Sequence, residues 1–307
     1  MKKMFLNGKE RNVYKVNLHT HTTNSDGFFP PDELCCLYRL SGYDALALTD
    51  HCKTNKISDL KKVLREKHRF DMPLISGIEL HPNGPRGIVW HILALGVPED
   101  FYGEYESGFA AAQAVRDVGG LVFAAHPYWC GLTSQDILDE LGKIHGTEVY
   151  NASCRFIGKE YNMNTWDELL DAGSRPGLAL AVDDCHNLSM IGMGWTMVAA
   201  DELTSDALLD SLRKGDFYSS QGPEFQRIEI RDGHFIAEFT PAESAVIVSN
   251  RSAGRCGTVP NWPLPWNECG EVTSLDIDVS DMPKGSYVRC QIRDAAGKMA
   301  WSMPYFL

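Results

Sequence analysis

Long apolar runs, paired cysteines and an excess of positive charge are all missing from this sequence, and each absence removes a class of function. No run of 18 apolar residues is present, so no membrane-spanning helix is expected. The opening "MKKMFLNGKE" has lysines but no apolar stretch behind them, which does not fit a secretory signal and makes a cytoplasmic location the expectation. The nine cysteines are odd in number and contain no C-x-x-C pair, which argues against a disulfide framework or a zinc ribbon and for reduced, mostly buried thiols. With 29 basic against 41 acidic residues the formal charge is -12. That balance opposes the phosphate attraction on which binding to a long duplex rests, and still admits a short oligonucleotide.

What is present is an alternation. From residue 13 to about 220, short β-rich runs trade places with helical patterns: "VYKVNLH" with "PPDELCCLYRLSG", "DALALTDH" with "ISDLKKVLREKH", "LVFAAHP" with "SQDILDELGKI", and "TEVYNAS" with "YNMNTWDELLDAG". In the first helix Pro30 and Pro31 suit the start, and Leu34, Leu37, Tyr38 and Leu40 read as the apolar stripe. "PLISGIEL" and "GIVWHILALGV" read as neighbouring strands joined through the Asn83, Gly84, Pro85 and Gly87 turn region. Six or seven β/α repeats point to an α/β barrel or a doubly wound sheet. His19, Asp50 with His51, Glu79, His126, Asn151 and Asp184 all fall at or just beyond the carboxyl end of an expected strand, and this favours the barrel, where such ends assemble the site. After "QGPEF" the texture becomes alternating strands with Asp232-Gly233 as a hairpin signal. We therefore expect an α/β part over residues 1–224 and a small antiparallel sandwich-like part over 225–307, with "VPNWPLPWNECG" as a long loop inside it.

The chemistry is concentrated in "VNLHTHTTNSDG", residues 16–27. His19 and His21 are two residues apart, so in an extended segment both imidazoles leave on one side and can share a cation. Asp26 sits in a turn beside Gly27, able to fold back toward the same point. His51, Glu79, His91, His126, Asp184 and His186 add further ligand-type side chains at successive strand ends. Six imidazoles and three carboxylates make nine, whereas one zinc ion takes about four ligands. Two or three divalent ions are therefore expected, with Glu79 bridging two of them at roughly 3.5 to 4 Å separation. Mixed nitrogen and oxygen ligation suits zinc, manganese and iron alike.

Several separated motifs, in order, make this sequence resemble the PHP (polymerase and histidinol phosphatase) superfamily of metal-dependent phosphoesterases. "HTHTTNSDG" resembles its first motif, "LALTDH" its second, "FAAHP" its third and "VDDCH" its fourth, while "GIEL" and "WHILALG" are similar to its intervening ligand segments and "GDFYSSQGPEF" to its end. The resemblance implies a distorted (β/α)7 barrel with a trinuclear metal site held by His19, His21, Asp26, His51, Glu79, His91, His126, Asp184 and His186. It implies hydrolysis of a phosphate ester by a metal-bridging hydroxide held by Glu79 and Asp184. In the fourth motif Asp183 stands beside Asp184, and Asp184 is the one in Asp-x-His register with His186.

Around that set we expect Asp50 to orient His51 or His21 without binding metal. Arg155 and Asn151 are expected to contact a substrate phosphate, the guanidinium holding two oxygens at once. Tyr128 and Trp129 are placed to stack on a base or to wall the pocket. His91, flanked by Trp90 and Ile92, has a core role as its alternative, and His81 reads as a loop residue before Pro82. Cys52 and Cys185 read as packing beneath the site. Competing functions are a 3'-5' exonuclease or oligoribonuclease-like phosphodiesterase on the same metals, an amidohydrolase acting on a C–N bond, and a non-enzymatic metal-loaded scaffold.

Overall fold

The computed structural model describes residues 2–256 and 271–307. The expected long loop at 259–270 lies outside the described residues.

The chain opens with a hairpin absent from the sequence-based expectation: β1 (Lys2–Leu6) turns through Asn7 and Gly8, both at positive φ, into β2 (Lys9–Asn17). An Asn-Gly pair between strands is the strongest short-range signal for such a turn. The α/β part continues with α1 (Pro31–Leu40), β3 (Ala45–Leu48), α2 (Ile57–Val63), β4 (Leu74–Leu80), β5 (Ile92–Leu95), α3 (Gly108–Asp117), β6 (Leu121–Ala124), α4 (Pro127–Cys130) and α5 (Ser134–Glu140). It closes with β7 (Gly146–Asn151), α6 (Met163–Asp171), β8 (Leu178–Val182), β9 (Trp195–Ala200), α7 (Ser205–Lys214) and β10 (Phe217–Ser220). On α1 the buried residues are Leu34, Cys35 and Tyr38. Leu34 and Tyr38 of the expected stripe are thus buried, whereas Leu40 is 85% exposed and Cys35 takes part instead.

Pairing makes this part a large mixed sheet. β2, β3 and β4 run parallel, as do β6, β7 and β8, while β5 runs antiparallel to both β4 and β6. β9 pairs antiparallel with β2. β8 meets β9 and β10 through side chains: Thr196 Oγ1 donates to Ala181 O, and Ser219 Oγ joins Ala179 O to Ala181 N. The β/α alternation is thus interrupted at β5, between the neighbouring strands expected around the Asn83 to Gly87 turn region. A short hairpin, pinned by the Asn83–Val89 bridge, replaces the β/α crossover there. Val16, Leu18, Ala45, Ala47, Ile75, Leu93, Leu95, Leu121 and Phe123 are buried together as the floor beneath the strand ends.

The remaining strands are β11 (Phe225–Arg231), β12 (His234–Ala242), β13 (Ser244–Ser249), β14 (Gly254–Cys256), β15 (Val272–Asp278), β16 (Tyr287–Arg293), β17 (Met299–Ser302) and β18 (Tyr305–Phe306). They pair antiparallel in two groups, β11–β12–β15 and β14–β13–β16 with β17 and β18. Asp232 and Gly233 form the expected hairpin turn, both at positive φ. Phe235, Phe239, Ile247, Val288 and Ile292 fill the core between the groups, joined by Met4 and Leu6 of β1, which pairs parallel with β11.

Candidate metal centre

The ligand-type side chains gather on one rim of the sheet. His19 and His21 follow β2, His51 follows β3, Glu79 ends β4, His126 follows β6, and Asp184 and His186 follow β8. His91 precedes β5 and still reaches the same rim, because β5 is reversed and its amino end lies beside its neighbours' carboxyl ends. Single bonds carry the ladder past the strands: His21 N donates to Cys185 O at 3.0 Å and Ala125 N to His91 O at 3.0 Å. Between the two histidines Thr20 points the other way, its Oγ1 donating to Ala47 O and its N to Thr49 Oγ1. That anchor fixes the shared face of His19 and His21.

Four atoms converge at the centre. Asp184 Oδ1 lies 2.9 Å from His21 Nε2 and 3.4 Å from His19 Nε2; Glu79 Oε2 lies 3.4 Å from His19 Nε2 and 3.5 Å from His21 Nε2. All four are buried and hydrogen-bonded to nothing. Ligands at about 2.0–2.1 Å around a tetrahedral ion stand roughly 3.3–3.4 Å from one another, so the spacing is that of a ligand shell. Glu79 turns its other oxygen to a second group, with Oε1 2.9 Å from His91 Nδ1 and 3.1 Å from His126 Nε2. A third group is Asp26 with His51 and His186, whose Nε2 atoms each lie 3.4 Å from an Asp26 oxygen. The turn that delivers Asp26 requires Gly27: a Cβ there would stand 2.2 Å from His21 O. All nine residues expected to hold metal are therefore brought together, and His91 faces Glu79 and His126, not the core.

The electrostatics suit cations. Burial would raise the carboxyl of Glu79, but His19, His91 and His126 around it hold it well below the ordinary range. Burial acts the same way on Asp184, and His19, His21 and His126 likewise hold it far down. For His21 and His91 burial prevails and lowers the imidazole, favouring the neutral form that a metal ligand needs, whereas at His19, His51 and His126 the neighbouring carboxylates, joined at His126 by the Cys130 thiol, overcome burial and raise it. Two ligands, His126 and Asp184, sit at positive φ (26° and 49°), strained backbone of the kind that gathers at functional sites.

Around the ligands stand residues that the sequence reading missed or placed differently. Glu148, inside β7 and fully buried, was missed: its Oε1 accepts from His19 Nδ1 at 2.6 Å, and its Oε2 from His126 N and Asn151 Nδ2 at 2.8 Å each. It fixes the tautomer and ring angle of His19, leaving Nε2 for a metal. Asn151 is corrected by the same bonds. With its amide also 3.1 Å from Asp184 Oδ2 and no exposed surface, it holds carboxylates in place and has no face for substrate.

Arg155 donates to Ser189 O and stacks on Phe156 4.8 Å away, so its guanidinium does not reach into the cleft as expected. Asp50 accepts from Thr22 N, Thr22 Oγ1 and Ser25 Oγ; it shapes the loop carrying Asp26 and does not orient His51 or His21. Asp183 points away and accepts from Tyr38, Tyr43 and the amides of Gly192, Met193 and Gly194, so of the two neighbouring carboxylates only Asp184 faces the cluster. Cys185 is buried, as expected of packing beneath the site, and Cys52 is partly buried with its thiol toward Glu79 O. His81, read as a loop residue, joins the cluster, its Nε2 3.6 Å from Glu79 Oε2.

A cleft of about 210 Å³ opens onto the cluster, lined by Asp26, His51, His91, His126, Asp184 and His186, with Trp129, Ser153 and Cys154 completing the wall. No helix among the described residues is long and apolar enough to cross a membrane.

A family model described as PHP-associated matches residues 183–217, the segment that holds Asp184 and His186. No curated protein matches the chain. Among solved structures, a two-domain protein containing a predicted PHP-like metal-dependent phosphoesterase from Bacteroides vulgatus is 16% identical, with a TM-score of 0.54 over 97% of this chain and 95% of that one. A proposed metal-dependent phosphoesterase from Bifidobacterium adolescentis is 18% identical, with a TM-score of 0.45 over 65% of this chain and 94% of that one. An amidohydrolase from Chromobacterium violaceum is 16% identical, with a TM-score of 0.44 over 56% and 87%. The chain thus carries a PHP-associated segment and shares its fold along nearly its whole length with the first of these structures.

Proposed function

We propose that this protein is a metal-dependent phosphoesterase acting on a small phosphorylated molecule, with two or three divalent ions, zinc, manganese or iron, as cofactors. The observation that carries the reading is the convergence of His19 Nε2, His21 Nε2, Glu79 Oε2 and Asp184 Oδ1, four buried atoms without partners at ligand-shell spacing. Leaving so many polar atoms unsatisfied would cost about 1–3 kcal/mol each, which a bound cation removes. His19, His21, Glu79 and Asp184 would hold one ion, Glu79 with His91 and His126 a second, and Asp26 with His51 and His186 a third. Such ions supply an activated water and positive charge for the phosphoryl oxygens.

The chain's own residues set the geometry. Glu79 gives one oxygen to each of two groups and so fixes their spacing. Glu148 keeps His19 in the ligand tautomer, and Asn151 bridges Glu148 to Asp184 so that the two carboxylates cannot drift apart. In this reading residues 1–224 are the phosphoesterase part, a distorted barrel whose β8 edge closes on β9 and β10 through side chains. Residues 225–307 are an all-β companion.

The rim favours a substrate with a flat apolar group. Phe28, Tyr128, Trp129, Phe156 and Leu188 are 74%, 50%, 43%, 59% and 60% exposed. Each lies within three residues of a cleft-lining side chain. Cations flank two of the rings, Lys159 over Tyr128 at 5.1 Å and Arg155 over Phe156 at 4.8 Å. Aromatic platforms with adjacent cations also suit a short single strand, so the same rim supports a phosphodiesterase as the second reading.

Full-length protein loaded with manganese, zinc or iron should hydrolyse an aryl phosphate or a nucleoside monophosphate, and lose that activity on chelation and in His19→Ala. Full activity in His19→Ala would overturn the proposal. A labelled short RNA assayed beside the mononucleotide separates the two readings by which is consumed faster.

A further inference from the structure

His81 lies outside the nine-residue ligand set, yet its ring stands among those of the cluster. It follows Glu79 by two residues at the end of β4, so both side chains leave on one face. The Leu80–Ile92 pairing sets it across the hairpin from His91. Its ring lies 4.0 Å from that of His91 and 4.4 Å from that of His51. Its Nε2 is buried and bonded to nothing.

At 3.6 Å from Glu79 Oε2 this nitrogen is too far for a hydrogen bond. It is near the separation of two ligands on one ion, roughly 3.0–3.4 Å for neighbours and at most about 4.2 Å across the ion. One ligand atom from each of His51, Glu79, His81 and His91 falls within 4.8 Å of the others, a gap that small side-chain rotations close. His51, the other imidazole of this group, stands between it and the Asp26 group, with Nδ1 2.7 Å from Glu79 Oε2 and Nε2 3.4 Å from Asp26 Oδ1. His81 has a nitrogen free.

We propose that His81 Nε2 is a tenth protein ligand, binding the cation that Glu79 and His91 hold. The inference rests on the metal-centre reading above and adds to it a side chain outside the set implied by the family resemblance. It gives the ion that Glu79 and His91 hold one more protein ligand, and so one position fewer for water or substrate.

The test is a metal titration of full-length apo-protein with cobalt(II), followed by its absorption spectrum and by competition with a chromophoric chelator, for wild type, His81→Ala, His81→Gln and His81→Cys. Binding to one site should weaken by at least about tenfold in His81→Ala and His81→Gln, the lower end of what even loss of an orienting group costs. The other sites should be unchanged. His81→Cys should restore the affinity and add a thiolate-to-cobalt charge-transfer band beyond any the wild type shows. Unchanged stoichiometry and affinity in both truncations, or the absence of a new band in His81→Cys, would overturn the proposal. A shift in KM alone with metal binding intact would do so as well, by making His81 a substrate contact. Wild type that takes up no cobalt would instead remove the metal-centre reading itself, so the two failures are distinguishable. His81→Gln, close in volume, carries the measurement if the alanine variant does not fold.

Discussion

At the scale of single residues, Glu148 shows how a site depends on groups that touch no metal. Its two oxygens serve His19 Nδ1, the His126 amide and Asn151 Nδ2. One carboxylate therefore sets the angle of a ligand ring, the strained turn of a second ligand and the amide that steadies Asp184. Glu148→Gln keeps the volume, but its amide presents a donor where one of these three donors now points. Metal affinity should fall by about 10–100-fold, measured by chelator competition with the far-UV spectrum unchanged; an unaltered affinity would show that His19 needs no orienting carboxylate. The side chains that converge on the cluster were legible in the sequence because their order is local: His-x-His on an extended segment, Asp beside Gly27, and polar residues just past apolar runs. Glu148 was not, since a lone carboxylate within "TEVYN" reads as the solvent face of a strand, and only the packing of β6 and β8 against β7 buries it. His81 stood between the two cases. Its two-residue spacing from Glu79 was visible, but the following Pro82 and Asn83 resemble a loop until the hairpin pairing is known.

At the scale of elements, the reversed β5 and the connection after β8 matter most. The neighbouring strands β4 and β5 and their turn region from Asn83 to Gly87 were legible, but a strand's direction cannot be read from an apolar run of four residues, and the reversal of β5 emerged only from the pairing. The connection after β8 is held by Asp183, which lies next to the ligand Asp184 but faces the opposite way. Burial raises its carboxyl against three backbone amides and Tyr43, which pull it down. Through Tyr38 on α1, Tyr43 before β3, and Gly192 to Gly194 before β9, this one side chain ties three elements beneath the metal cluster. Asp183→Ala would take the acceptor from five donors, three of them buried and two partly buried. A loss of about 3 kcal/mol or more is expected, read as a lower denaturation midpoint at unchanged slope. Metal affinity should fall with it, because the backbone that places Asp184 and His186 is no longer held. A variant as stable as wild type would mean that water replaces the carboxylate.

At the scale of the whole molecule, the boundary expected at residues 224 and 225 is not a linker. β10 pairs with β9 on one edge and with β17 on the other, and β1 leaves the α/β part to pair with β11, so ladders cross the boundary twice. Side chains add a third tie at α6. Arg289, 1% exposed, donates from Nε and Nη2 to the two oxygens of Asp167 at 2.8 and 2.7 Å, lies over the Trp166 ring at 4.4 Å, and shares Asp167 with the Tyr287 hydroxyl. The pair is bidentate and shielded, unlike a surface ion pair. Asp167→Ala would leave the guanidinium buried beside an indole with no anion, at a cost of about 3–5 kcal/mol. The double variant Asp167→Ala, Arg289→Met should recover most of that loss, since an apolar chain of similar length needs no partner. Because the ladders remain, wild type and both variants should each unfold in one transition, with tryptophan fluorescence and far-UV circular dichroism superimposed along the denaturant curve. Two separated transitions in the wild type would show that the α/β and all-β parts fold independently and that the shared ladders do not couple them.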